Sequence, residues 1–271
     1  MSTSLNVDNP RHKEQLRRLF RVTRTLLTMM KDRGYSLDNV SFFPPREAGG
    51  ALFQSHINAS WIIRPEITFE NFLQYREQTR LFQNRQEFSA VFYIFTGDMQ
   101  YVTEMTKVFF LTNEPGKAVS KDNALVLFHD IDSYEKGAFS PKYIVISEEK
   151  LTPGVKKTIQ TTNLNGRSIE EFRDVEFAFN RTKHALAPIE LQYAKGKDAE
   201  KVAAEEEIDH RKVPFILNTD PISKWYGAKA GDLFVTEIMG TTTDTEGYYR
   251  LVRTYQEKKQ SVKKVPTTTK K

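Results

Sequence analysis

No cysteine occurs in the 271 residues. Disulfides and thiolate metal ligands are excluded, and an intracellular home is the expectation. No apolar run approaches the roughly 20 residues that span a bilayer, so no membrane role is expected. The opening MSTSLNVDNPRHKEQ has no apolar segment of the kind a secretory leader carries. A basic body is missing as well. The chain nets +5, but Lys258–Lys271 holds six lysines and no acid, which leaves −1 for the remainder. A protein that holds nucleic acid by itself needs a basic surface to neutralise phosphates. If this chain meets DNA, it is expected to do so within a larger assembly. Walker A loops, Rossmann glycine fingerprints and His-rich metal spacings are absent too, and no cofactor or small-molecule substrate is expected.

What is present suffices for a core. Hydrophobic residues make up 39% and aromatics 12%, a globular composition. The most ordered punctuation lies between Val213 and Arg253. Asp220 and Pro221 are an N-cap and a first-turn proline, so a short helix starts there. Trp225 and Tyr226 close it, and Gly227 supplies a left-handed stop. Gly231-Asp232 turns the chain into the β-branched run Leu233–Met239, and Tyr248–Arg253 is placed to pair with it as a hairpin.

Earlier in the chain, Asn9-Pro10 opens a helix that Gly34 ends. Leu16, Leu19, Phe20, Leu26, Leu27 and Met30 follow helical spacing, with Arg17, Arg18, Arg21, Arg24 and Lys31 mostly off that stripe. Pro44-Pro45 and Gly49-Gly50 punctuate a loop. A helix is expected over Phe69–Leu81, a buried strand over Phe88–Phe95 and another over Lys107–Leu111. Asn113–Lys117 reads as a turn, and Ala124–Phe128 as a further apolar run. Tyr143–Ile146 is apolar throughout, as suits the middle of a parallel sheet. Asn163–Ser168 reads as a hinge, Val175–Asn180 as a strand with Phe177 and Phe179 on one face, and Asp198–Asp209 as an exposed acidic helix. The Lys/Thr-rich residues 257–271 lack an apolar anchor and are expected to be a disordered tail.

Several of these segments resemble one family, the fifth shared subunit of eukaryotic nuclear RNA polymerases together with its archaeal equivalent. Asp220, Pro221, Tyr226, Gly227, Lys229, Gly231, Gly247, Tyr249 and Arg253 follow its C-terminal signature in order. Ala230, Tyr248 and Val252 depart from it. Asp32-Arg33-Gly34-Tyr35 matches the end of the family's opening helix. Thr182, His184, Leu186 and Pro188 match its Thr-x-His-x-Leu-x-Pro, with Ala185 in place of Glu. Thr152-Pro153 matches the start of Thr-Pro-Ser-Ala, with Gly154 and Val155 replacing Ser and Ala.

The resemblance implies an α+β protein with two domains: an N-terminal α/β, nuclease-like jaw over 1–165 and a C-terminal mixed assembly domain over 166–256. It implies a nuclear, non-catalytic polymerase subunit without its own active site. The partners would be the largest subunit, the small sixth shared subunit and downstream double-stranded DNA. Thr152, Pro153, Gly154, Val155, Lys156 and Lys157 would face the DNA. His184, Pro188 and the signature residues would dock on the largest subunit.

Alternatives stay open. A paralogue dedicated to one polymerase, such as nucleolar RNA polymerase I, is one, and a viral or protist scaffold with another partner is a second. A third is a Mg²⁺-dependent nuclease. Glu148-Glu149-Lys150 after the Tyr143–Ile146 strand, with Asp130 or Asp132 upstream, mimics the acids and lysine of restriction-type enzymes.

Overall fold

The computed structural model describes residues 8–43, 57–58, 65–79, 89–95, 102–111, 116–133, 141–184, 191–209, 212–239 and 245–254. The chain divides into two compact units, Met1–Ala185 and Leu186–Lys271. The Pro44-Pro45 and Gly49-Gly50 loop, the residues from Asn113 to Pro115, Leu186, Pro188 and the basic tail lie outside the described residues.

The first unit opens with helix α1, Pro10–Asp32. Its ends are the expected ones. The Asn9 side chain caps the Arg11 N–H at 3.0 Å, Pro10 sits in the first turn, and Gly34 turns left-handed at φ 87°. Next come β1 (Ser36–Phe43), β2 (Ile57–Asn58), α2 (Phe69–Thr79), β3 (Ser89–Phe95), β4 (Val102–Leu111), α3 (Leu125–Ser133), β5 (Lys142–Ser147), α4 (Pro153–Leu164) and β6 (Ile169–Arg173). The six strands form one sheet, ordered β2-β1-β3-β4-β5-β6. The pairs from β2 through β4 are antiparallel, and β4-β5-β6 are parallel.

Strand alternation sends successive side chains to opposite faces. Phe109, Leu111, Tyr143, Val145 and Ile169 join Leu127 and Ile131 of α3 and Val155 and Ile159 of α4 in one buried cluster. The alternate residues Glu104, Thr106 and Glu170 meet the end of α1 on the other face. β5 lies between two parallel neighbours, and Tyr143–Ile146 are all buried.

Two expectations are corrected here. Asn163–Ser168 is not a hinge between domains. It is the last two residues of α4 and the turn that leads into β6, and β6 is the parallel edge strand of the first sheet. The units divide after Ala185 instead of after residue 165. Val175–Asn180 is not a strand. Asp174–Phe177 is a 3₁₀ turn, closed by the Glu176 carboxylate accepting the Arg173 N–H at 2.8 Å. Phe177 is buried against Phe172, whereas Phe179 is 47% exposed.

The second unit contains β7 (Leu191–Ala194), α5 (Lys197–Glu205), β8 (Phe215–Leu217), α6 (Pro221–Tyr226), β9 (Leu233–Met239) and β10 (Thr245–Arg253). Its sheet runs β7-β9-β10-β8. β9 and β10 form the expected antiparallel hairpin, from Thr245 opposite Met239 to Leu251 opposite Leu233. β8 adds in parallel beside β10. The acidic helix α5 is shorter than expected and is not wholly exposed, because Ala199 and Ala203 pack on Leu233.

Candidate functional site

The Asp32–Tyr35 motif ties α1 to the sheet. The Arg33 guanidinium donates to both carboxylate oxygens of Glu170 on β6, at 3.2 and 2.7 Å. The Tyr35 hydroxyl donates to Glu104 Oε1 and lies 2.6 Å from Thr106 Oγ1, both on β4. Lys142 Nζ holds the other Glu104 oxygen at 2.5 Å. Burial raises the Tyr35 pKa, and the bond to Glu104 raises it further. The fold thus favours the neutral phenol. That contribution is intact below about pH 10, the ordinary tyrosine value, and declines as the pH climbs beyond it. Denaturant melts between about pH 9 and 11.5 are expected to show a steeper alkaline loss of stability in the wild type than in Tyr35→Phe.

The Thr152–Lys157 segment forms the start of α4. Thr152 is the N-cap in extended backbone, and Pro153 occupies the first turn. A parallel bridge fixes this corner. Val119 N–H donates to Lys150 O at 2.9 Å, and Thr152 N–H donates to Val119 O at 3.0 Å. The six expected residues do not share one direction. Pro153, Gly154, Lys156 and Lys157 are exposed, Thr152 is half-buried, and the Val155 side chain is wholly inside the core. Lys156 Nζ lies 3.3 Å from Glu171 Oε1 on β6.

The nuclease-like pattern does not converge. Glu148 Oε1 accepts from Arg18 of α1 at 3.3 Å, and Arg18 also pairs with the buried Asp174. Burial alone would lower the Arg18 pKa, but Asp174, Glu148 and Glu149 more than offset this and raise it. Asp130 points to the opposite face of the sheet, where both its oxygens accept from Lys107 Nζ at 2.9 and 3.0 Å. Lys150 and Asp132 are exposed. Among the described residues, no three His, Asp or Glu side chains are grouped to hold a metal ion.

In the second unit, most signature residues hold the fold together. Asp220 Oδ1 accepts the Ile222 N–H at 2.8 Å, and Pro221 fills the first turn of α6. Gly227 ends that helix at φ 65°. The Tyr226 ring packs on Tyr193 and Phe234 with centroids 5.4 and 5.8 Å away. Gly231, at φ 98°, donates its N–H to Val252 O at 3.0 Å. Gly247 pairs with Glu237 in the hairpin. Tyr249 packs on the Ala199–Ala203 face of α5. Its pKa is raised by burial and by a hydrogen bond to Glu206. Arg253 lays its guanidinium 5.3 Å from the Phe215 ring centroid. Lys229 is exposed through its side chain. His184, in the first unit, is exposed and stacks at 5.8 Å on Phe179, whose other neighbour is the Arg181 guanidinium at 5.3 Å.

Sequence reasoning missed the hub of this unit, Asp232. It is buried and accepts three hydrogen bonds: from Tyr193 Oη at 2.6 Å, Gly196 N–H at 3.0 Å and Lys229 N–H at 2.7 Å. The usable signal was an acid directly before an apolar strand, since a carboxylate there enters the core only with partners. Glu170 and Glu104, which receive Arg33 and Tyr35, were also missed. Nothing in a linear reading pairs them with a helix so distant in sequence.

These arrangements define a two-unit α+β protein whose motif residues join elements together and leave selected side chains outward. Residues 179–252 match the family RNA polymerase Rpb5, C-terminal domain. Over 237 residues the chain is 25% identical to "DNA-directed RNA polymerase subunit 5-like protein 1" of Arabidopsis thaliana, covering 87% of this chain and 95% of that relative. The chain is thus similar to the Rpb5 family, through residues 179–252 and through a relative aligned over most of its length.

Proposed function

We propose that the chain is a non-catalytic subunit of a nuclear, multi-subunit, DNA-dependent RNA polymerase. The observation that carries this reading is the Rpb5 C-terminal match over 179–252, which spans nearly all of the second unit's described residues. In this reading the second unit docks on the largest subunit, with the small sixth subunit nearby. The exposed signature side chains Pro221 and Lys229 are the second unit's candidates for direct contact, and His184 is a separate candidate on the first unit. Asp220, Tyr226, Gly227, Gly231, Gly247, Tyr249 and Arg253 act by shaping that surface, and Pro188 belongs to the same docking set. The first unit serves as a jaw that presents the start of α4 to downstream DNA. Thr152, Pro153, Gly154 and Lys157 are its residues toward the duplex, Lys156 is exposed but turned to Glu171, and Val155 anchors the helix beneath them. Departures from the family signature at Ala230 and Tyr248 favour a paralogue dedicated to one polymerase, nucleolar if that is RNA polymerase I.

The test is capture of the full-length tagged chain from its own cells, followed by mass spectrometry. Stoichiometric recovery of the largest polymerase subunit is expected at moderate salt. A chain that runs alone and cuts DNA with Mg²⁺, losing that activity in Glu148→Ala/Lys150→Ala, would overturn the proposal.

A further inference from the structure

Resting on that jaw reading, we propose that the nucleic-acid face is assembled from two chain segments by Lys121, Lys150 and Lys157, and that Lys156 is not part of it. The Val119–Leu151 bridge places the segment around Lys121 beside the start of α4. Lys121 lies across the first turn of that helix. A Cβ added at Gly154 would sit 3.8 Å from Lys121 Cε. Lys157 is three residues beyond Gly154 and therefore on the same side of the helix. Lys150 enters the same corner directly before Leu151. All three are exposed, and among the described residues none is held in an ion pair.

Lys156 differs in both respects. It projects away from Gly154, and Glu171 neutralises it. In sequence, Asp122 follows Lys121 and Glu149 precedes Lys150, and the Glu149 Oε1 accepts the Gly116 N–H at 3.1 Å. Three unpaired ammonium groups remain on a body that carries no net positive charge outside its tail. Their spread over two segments suits the repeating phosphates of a duplex backbone, which rewards several separate cations through counterion release.

The experiment uses the assembled polymerase carrying full-length variants. The dissociation of transcribing complexes from duplex DNA is measured across a salt series. Lys121→Ala/Lys150→Ala is expected to make the slope of log affinity against log salt shallower by about 2. Lys157→Ala is expected to reduce it by about 1. Lys121→Arg/Lys150→Arg should retain the wild-type slope, and Lys156→Ala should leave it unchanged. An unchanged slope in Lys121→Ala/Lys150→Ala, alongside a reduced one in Lys157→Ala, overturns this inference and leaves the jaw reading standing. Wild-type slopes in every variant overturn both. Loss of the variant chain from the purified polymerase would mean that these lysines meet an acidic subunit, and that result also sinks the proposal.

Discussion

Asp130→Ala is expected to destabilise the first unit by about 3 kcal/mol, the cost typical of removing one member of a buried ion pair. The side chains of Lys107 and Asp130 retain only 5% and 14% of their exposure. Lys107 stands in register with Val91 and Tyr143 at the centre of the sheet, and Asp130 reaches it from α3. Truncating the acid removes the carboxylate that grips a largely buried ammonium group through both oxygens. Lys107→Met/Asp130→Leu removes both charges and keeps comparable volume. Such replacements are often neutral or stabilising. Urea unfolding of both variants decides the matter. A single substitution that costs less than about 1 kcal/mol would mean the pair is no more consequential than a surface salt bridge.

Asp232→Ala should have an effect of similar size on the second unit. Three hydrogen bonds disappear together, each to a charged acceptor. Such bonds contribute about 1.5–3 kcal/mol apiece, though members of one network are not additive. Tyr193 Oη and the Gly196 and Lys229 N–H groups then lose the acceptor that gathers them. A net loss of about 3–4 kcal/mol follows from those magnitudes. Asp232→Asn keeps the shape but turns an amide donor toward one of these donors, so an intermediate loss of about 1–2 kcal/mol is expected. Amide hydrogen exchange along β9 and β10 provides the measurement. Protection unchanged in Asp232→Ala would show that the hub contributes nothing to the sheet.

Local chemistry made much of this chain legible. The Asn9-Pro10 start and Gly34 stop of α1 follow from single-residue preferences, as do the Asp220-Pro221 cap and the Gly227 stop of α6. The β9–β10 hairpin was readable because its strands are adjacent and separated by turn residues. The order of the first sheet was not. Whether Ile169–Arg173 joins the strands before it or the domain after it depends on parallel pairing with β5, and a polar turn at Gly166 reads alike in both cases. The alternation Val175, Phe177, Phe179 imitated a strand, but Phe177 is claimed by Phe172 and Glu176 turns back to Arg173. At the candidate site, the motif gave the position of α4, but strand pairing decided which lysines stand free. Lys156 meets Glu171 because β6 runs beside that helix end, and Lys121 arrives there through a bridge of two hydrogen bonds.

The position of β10 has a consequence for biosynthesis. It is the last strand among the described residues, yet it lies inside the second sheet, between β9 and β8. Among the described strands β8 pairs with β10 alone, so it has nowhere to dock until β10 has been made. The first sheet needs nothing beyond β6. During synthesis, which releases N-terminal segments first, the first unit can therefore mature on the ribosome while β8 waits for the hairpin to close. A premature stop before Leu251 would not trim an edge of the second unit. It would remove Leu251–Arg253, the residues that pair with β8, and leave β8 without a neighbour among the described strands, behind an N-terminal sheet that is already complete.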